Sequence, residues 1–229
     1  MTHSTNKTSL RRAALIAGLA ILAMAIAAPY AELFAFPKLV VPFKAAETVQ
    51  NIIANKTVFI SAIFGYLITF ICDLVAAWAL YVLLKPVNEG LSLLAAWFRL
   101  VYTVIAIVAL LNLVTVFRLL NGPGYLTVFE PNQLNAQVMF SLHAFRTGFH
   151  FGILFFGIHL ELIGYLVFRS NYIPKILGVL LIIAGLGYLL TMLKPFLFPS
   201  INVDFAMYTF YGELIFMLWL LIKGSRIPE

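Results

Sequence analysis

Charge is scarce in this chain. Only 10% of its 229 residues are Asp, Glu, Lys or Arg, against about 25% in a soluble globular domain, so an ordinary water-facing surface is excluded. A single cysteine, Cys72, rules out an intrachain disulfide and leaves the redox compartment unread. Lying in an apolar run, it reads as a small packing residue. Low-complexity tracts and a polar linker between domains are missing, so 1–229 reads as one transmembrane domain. The apolar runs do not alternate with polar residues, which excludes transmembrane β-strands. There is no His-Glu-x-x-His, no Gly-x-Ser-x-Gly and no phosphate-binding glycine loop.

What remains is apolar: 63% hydrophobic residues, with a mean hydropathy of +1.01. Runs of about 20 such residues mark membrane-spanning helices. Six are found, at about 13–36, 57–84, 91–117, 136–168, 176–193 and 205–222. The expected fold is an all-α polytopic bundle of six transmembrane helices. The first run also has a signal-peptide reading, from its basic start and Ala25-x-Ala27 before Pro29. Its length, Ala13 to Phe36, exceeds the 7–15 residues of a signal-peptide core and favours an uncleaved helix.

The net charge of +6 comes from Lys and Arg scattered at segment ends, not from the basic face of a nucleic-acid binder. With the N-terminus inside, Lys7, Arg11, Arg12, Lys85, Arg169, Lys175, Lys223 and Arg226 are cytoplasmic, and Lys38, Lys44, Lys56, Arg118 and Lys194 are external. The excess points to N-in, C-in. Ala45, Ala46, Val49, Ile52 and Ile53 recur at helical spacing, which predicts a short external interfacial helix over Lys44–Asn55. Asn121-Gly122-Pro123-Gly124 is an external turn signal, and Lys85–Gly90 a tight cytoplasmic one. Leu84-Lys85-Pro86 and Leu193-Lys194-Pro195 leave an inverted repeat open.

Against this apolar background, ionisable residues inside the runs stand out. Such groups are rare at membrane depth and normally face a protein interior or a wet cavity. The fourth run carries His143, Arg146, His150, His159 and Glu161; Asp73, Arg99 and Glu213 lie in three others. At about 100° per residue, His143, Arg146, His150 and Glu161 share one face, with Gly148, Gly152 and His159 opposite. Gly148-x-x-x-Gly152 admits a close neighbouring helix. Tyr66, Thr69 and Asp73 share a face of the second helix, as do Arg99, Tyr102, Thr103 and Ala106 of the third.

By depth, at about 1.5 Å per residue, Arg99 is within reach of Asp73 or Glu161, while Arg146, His150 and Glu213 form a second group. Three carboxylates facing two arginines need one proton, on Glu213 or His150, for a neutral interior. His159 alone reads as a packing histidine, and Glu32 as a solvated interface carboxylate. His143 and His150 are about 10 Å apart along the helix and cannot share one metal; with His3 in the tail, no haem-ligating pair on facing helices is available. No cofactor or metal is expected. The candidate ligand or proton-site residues are Asp73, Arg99, Arg146, His150, Glu161 and Glu213.

These features fit an uncharacterised accessory or sensory membrane protein. A small proton-coupled transporter or small-molecule binder is the first alternative, and an intramembrane enzyme the second. Expected partners are the lipid bilayer, a small molecule or ion, and another membrane protein or a second copy.

Several stretches together resemble a known family. They are Ala77-Trp78-Ala79-Leu80-Tyr81-Val82-Leu83-Leu84-Lys85-Pro86-Val87, Leu93-Leu94-Ala95-Ala96-Trp97-Phe98-Arg99-Leu100, Phe155-Phe156-Gly157-Ile158-His159 and Gly164-Tyr165-Leu166-Val167. Ser170-Asn171-Tyr172-Ile173-Pro174-Lys175-Ile176-Leu177-Gly178-Val179-Leu180 and Ala184-Gly185-Leu186-Gly187-Tyr188 continue it. The resemblance is to the bacterial family catalogued as domain of unknown function number 4386. It implies a six-helix integral membrane protein of a bacterial cytoplasmic (inner) membrane, without an assigned activity. The family's pattern around Thr48 and Asn51-Ile52 is also present, but its preceding Gly-Asp is here Phe43-Lys44.

Overall fold

The computed structural model describes residues 9–122 and 129–227. His3, Lys7 and the Pro123-Gly124 turn lie outside the described residues. The described residues are all-α, and among them six helical segments are long and apolar enough to cross a membrane. In order they are α1 (Leu10–Pro29), continued by a π-helical turn (Tyr30–Ala35) and α2 (Phe36–Leu39); α4 (Lys56–Leu84); α5 (Glu89–Asn121); α6 (Pro131–Arg169); α7 (Lys175–Leu197); and a 3₁₀ turn (Asp204–Phe210) running into α8 (Tyr211–Lys223). The short α3 (Ala45–Ala54) precedes α4.

Most helices extend beyond the apolar runs that signal them. A helix keeps its backbone bonded wherever it leaves the hydrocarbon, so nothing forces it to stop there. The 39 residues of α6 amount to about 58 Å, roughly twice the 30 Å hydrocarbon thickness. The last span differs: α8 has 13 residues, about 20 Å, and the 3₁₀ turn supplies the rest of the crossing.

By packing, the described residues divide into two compact units. One comprises 9–22, 72–102 and 153–227; the other comprises 23–71, 103–122 and 129–152. The boundary falls within α1, α4, α5 and α6, each of which contributes to both.

In the first unit, α6 and α7 are antiparallel and touch through glycines spaced seven apart on each helix. A Cβ on Gly178 would lie 2.6 Å from the Gly164 carbonyl oxygen, and one on Gly164 would lie 2.8 Å from that of Gly178. Gly185 and Gly157 repeat the arrangement at 2.9 and 3.2 Å. Backbone meets backbone at both points, a contact that any larger residue would prevent. The turn before α5 is held by Asn88, whose Oδ1 accepts the Leu91 N–H at 2.9 Å as an N-cap. Between α6 and α7, the Tyr172 hydroxyl donates to the Leu83 carbonyl at 2.6 Å.

The second unit is built on aromatic rings. Tyr66, Phe36, Phe145 and Phe149 pack with centroids 4.9–6.2 Å apart, within the range of favourable offset and edge contacts. Thr48 locks α3 to the segment before it: its hydroxyl accepts the Val41 N–H at 3.0 Å and donates to the Val41 carbonyl at 3.2 Å. Just ahead of α3, Phe43 takes φ 63°, the left-handed region, and its ring is 98% exposed. Glycine is the residue that adopts that conformation without a Cβ clash, and it is the residue that the resemblance drawn from the sequence implies here.

Candidate functional site

The most buried ionisable groups lie in the first unit. Asp73, on α4, is 2% exposed, and Arg99, on α5, is 3% exposed. Arg99 Nε and Nη2 both donate to Asp73 Oδ1, at 2.9 and 2.6 Å. Arg99 Nη1 lies 3.1 Å from His159 Nε2, and His159 Nδ1 lies 2.8 Å from the Ala95 carbonyl oxygen. These contacts fix the imidazole. A carbonyl only accepts, so Nδ1 carries the proton; a guanidinium only donates, so Nε2 must be bare. His159 is therefore neutral and relays Arg99 to the α5 backbone, four residues before Arg99 itself. Below the guanidinium, the Phe156 ring lies 5.2 Å from Arg99 Cζ, a cation–π contact. The assembly carries one negative and one positive charge and sums to zero.

Beside it is a cavity of about 10 Å³ lined by Arg99, His159, Glu213, Leu80, Leu181 and Phe216 among others. That volume is at the lower limit for a single water. Glu213 reaches this cavity from α8, with Tyr188 of α7 nearby. Glu161 stays apart from Arg99. Its Oε1 lies where a Cβ on Gly185 would meet it at 2.7 Å and has no hydrogen-bond partner among the described residues.

Of Asp73 and Glu161, the two partners expected for Arg99, Asp73 is the one used. Glu161 sits against α7 instead. Both faces of α6 were expected to contact protein; on the ionisable one His143 and His150 are exposed while Arg146 and Glu161 are half-buried, and Leu142, Phe145, Phe156, His159, Leu160 and Ile163 are buried. The apolar stripe decides which side of the helix faces protein, and His159 belongs to that stripe. Reading His159 as an isolated packing residue missed its place beside Arg99. The available signal was its position on the opposite face, with Gly152, together with the family-like stretch it ends.

The second expected group is also rearranged. Arg146 pairs with Glu32, at 3.4 Å, and its Cζ lies 5.1 Å from the Phe36 ring; Glu213 lines the cavity beside Arg99 and His159 instead. Glu32 is thus a partner to Arg146 and not simply a solvated carboxylate. Its Oε1 also accepts the Tyr66 hydroxyl at 2.7 Å. The π-helical turn that carries it follows Pro29, whose missing N–H leaves a carbonyl one turn back without its usual donor. Such π turns inside α-helices are frequent at functional sites. Gly148 does admit a close neighbour, since a Cβ there would lie 2.9 Å from the Ala109 Cβ, and Gly152 is buried. No three His, Cys, Asp or Glu side chains among the described residues come together as a metal would require.

Comparison with known proteins gives a family match over residues 16–224, to the family described as Domain of unknown function (DUF4386). The chain belongs to that family. This DUF4386 chain is also similar to an uncharacterized protein of Archaeoglobus fulgidus, at 37% identity over 170 residues, covering 74% of this chain and 88% of the relative. No solved structure matches. The DUF4386 match takes in Asp73, Arg99, His159 and Glu213, so the buried assembly lies wholly within the family region.

Proposed function

We propose that this protein is an accessory, non-catalytic component of a bacterial cytoplasmic membrane, with both termini inside, whose buried Asp73–Arg99–His159 assembly fixes helix packing. One observation carries the reading: the assembly is neutral, with its imidazole bonded on both sides, beside a cavity that holds one water at most. A transport or catalytic site needs room for a substrate, commonly hundreds of Å³ for a small molecule. Orientation is tested by replacing Cys72 and placing a cysteine at Asn121, which external reagents should label.

A second reading rests on Glu213, which lines the same cavity as Arg99 and His159. A carboxyl group there could exchange a proton with a trapped water, as a proton-coupled transporter or sensor requires. One experiment separates the two. Protein reconstituted in vesicles under an imposed pH gradient should move no more protons than empty vesicles. Flux that appears with the protein and vanishes in Glu213→Gln would replace the accessory reading with the proton-carrying one, because Gln copies the neutral acid but cannot release a proton.

A further inference from the structure

We propose that the second unit carries a binding site for an anionic phospholipid, with the phosphate on Lys56 and Asn121 and an acyl chain in the furrow between α4 and α5. Two adjoining cavities define it. The first, about 100 Å³, is lined by Ile52, Lys56, Phe59, Leu120 and Asn121 together with Phe117. The second, about 230 Å³, is lined by Ile60, Ile63, Phe64, Val114 and Phe117, all of them apolar. Phe117 lines both, so the two spaces adjoin at its ring.

The furrow is polar at one end and hydrocarbon along the rest. From Lys56 to Phe64 it follows eight residues of α4, about 12 Å, away from the charged end of a membrane-spanning helix. That is the outline of an amphiphile, and a water-soluble ligand would find no polar group beyond the level of Lys56. The Lys56 ammonium donates to the Asn121 carboxamide oxygen and lies 5.4 Å from the Phe117 ring centroid, so its stem is already held over the furrow. A lysine at the end of a span places its charge at headgroup level while its methylenes cover apolar surface. No carboxylate lines either cavity, and the exposed Arg118 follows Phe117 directly. The local charge is positive, which selects an anionic headgroup over a zwitterionic one.

The test is native mass spectrometry of the full chain, released from a maltoside detergent, with phosphatidylglycerol, phosphatidylcholine of the same acyl chains, or sodium phosphate. Phosphatidylglycerol should be retained in preference to phosphatidylcholine, and phosphate alone should not be retained. Lys56→Glu should weaken phosphatidylglycerol binding by about fivefold or more. Val114→Trp, which fills the furrow without touching Lys56, should displace the lipid. Circular dichroism confirms that each variant is folded; Lys56→Gln and Ile60→Trp serve in their place if one is not. Equal retention of the two lipids, retention of phosphate alone, or undiminished lipid binding in either class of variant would overturn the proposal.

Discussion

Each unit contains an arginine paired with a carboxylate beside an aromatic ring, yet the two pairs live in different surroundings. In the first unit, Arg99 and Asp73 are 3% and 2% exposed and meet at 2.6 Å. In the second, Arg146 and Glu32 are 42% and 27% exposed and meet at 3.4 Å. The chemistry is nearly the same, so the difference isolates burial. A buried charge that loses its partner cannot recruit water, and the loss is then set by desolvation. A partly exposed one re-solvates, and its pair contributes about 1 kcal/mol or less.

The largest expected effect follows directly. Arg99→Met leaves the Asp73 carboxylate buried without its counter-charge, for a loss of about 3–5 kcal/mol, while Arg146→Met should lose about 1 kcal/mol or less. Unfolding of both variants in mixed micelles measures the contrast, and equal losses would break it.

Next comes Gly178→Ala. The added Cβ would press on the Gly164 carbonyl oxygen and the Phe168 backbone nitrogen, both at 2.6 Å. Backbone atoms cannot rotate away, so a loss of about 1–3 kcal/mol is expected from overpacking. Thermal stability in detergent reads it out, and a variant as stable as wild type would show that α6 and α7 are free to separate.

Smaller is the effect of Tyr172, in the connection between α6 and α7. Burial pushes its hydroxyl up to about 12, above the usual value near 10 for tyrosine. The folded state holds this proton more tightly than the unfolded chain. Its contribution is therefore complete below about pH 10 and is lost as pH rises toward 12. Partial exposure limits that loss to about 1 kcal/mol. Tyr172→Phe should remove this part of the alkaline destabilisation, as seen by comparing melting temperatures at pH 9 and pH 11.

Smallest, and of opposite sign, is Phe43→Gly in the second unit. It relieves a left-handed backbone at an exposed position and should stabilise by up to about 1 kcal/mol. A loss in the same melting assay would mean that the Phe43 ring makes contacts in the membrane that outweigh the strain.

The sequence made the apolar architecture legible because a span is a property of continuous runs. The faces of α4 and α5 could be read as well: Tyr66, Thr69, Asp73, Arg99, Tyr102, Thr103 and Ala106 are all buried. Pairing was harder. Arg99 had two carboxylates at plausible depth, and depth along a helix does not say which side of a third helix faces inward. On α6, both faces read as protein-contacting, yet His143 and His150 are exposed, because the apolar stripe through Phe145, Phe156 and Leu160 takes the buried side. Glu32 was read from its place near the external interface, where a carboxylate can reach water, and depth alone does not show that Arg146 and Tyr66 lie beside it. The Gly157, Gly164, Gly178 and Gly185 register was present as two spacings of seven, but it gains meaning only once α6 and α7 are known to be antiparallel neighbours.

The central claim is that Asp73 and Arg99 are held together as a neutral packing device. A double-mutant cycle tests it most directly, with unfolding measured for Arg99→Met, Asp73→Leu and the two combined. Each single change should lose about 3–5 kcal/mol, and the combination should return to within about 1–3 kcal/mol of wild type, the remainder reflecting the His159 Nε2 left without its donor. A double variant whose loss equals the sum of the two single losses would contradict the account.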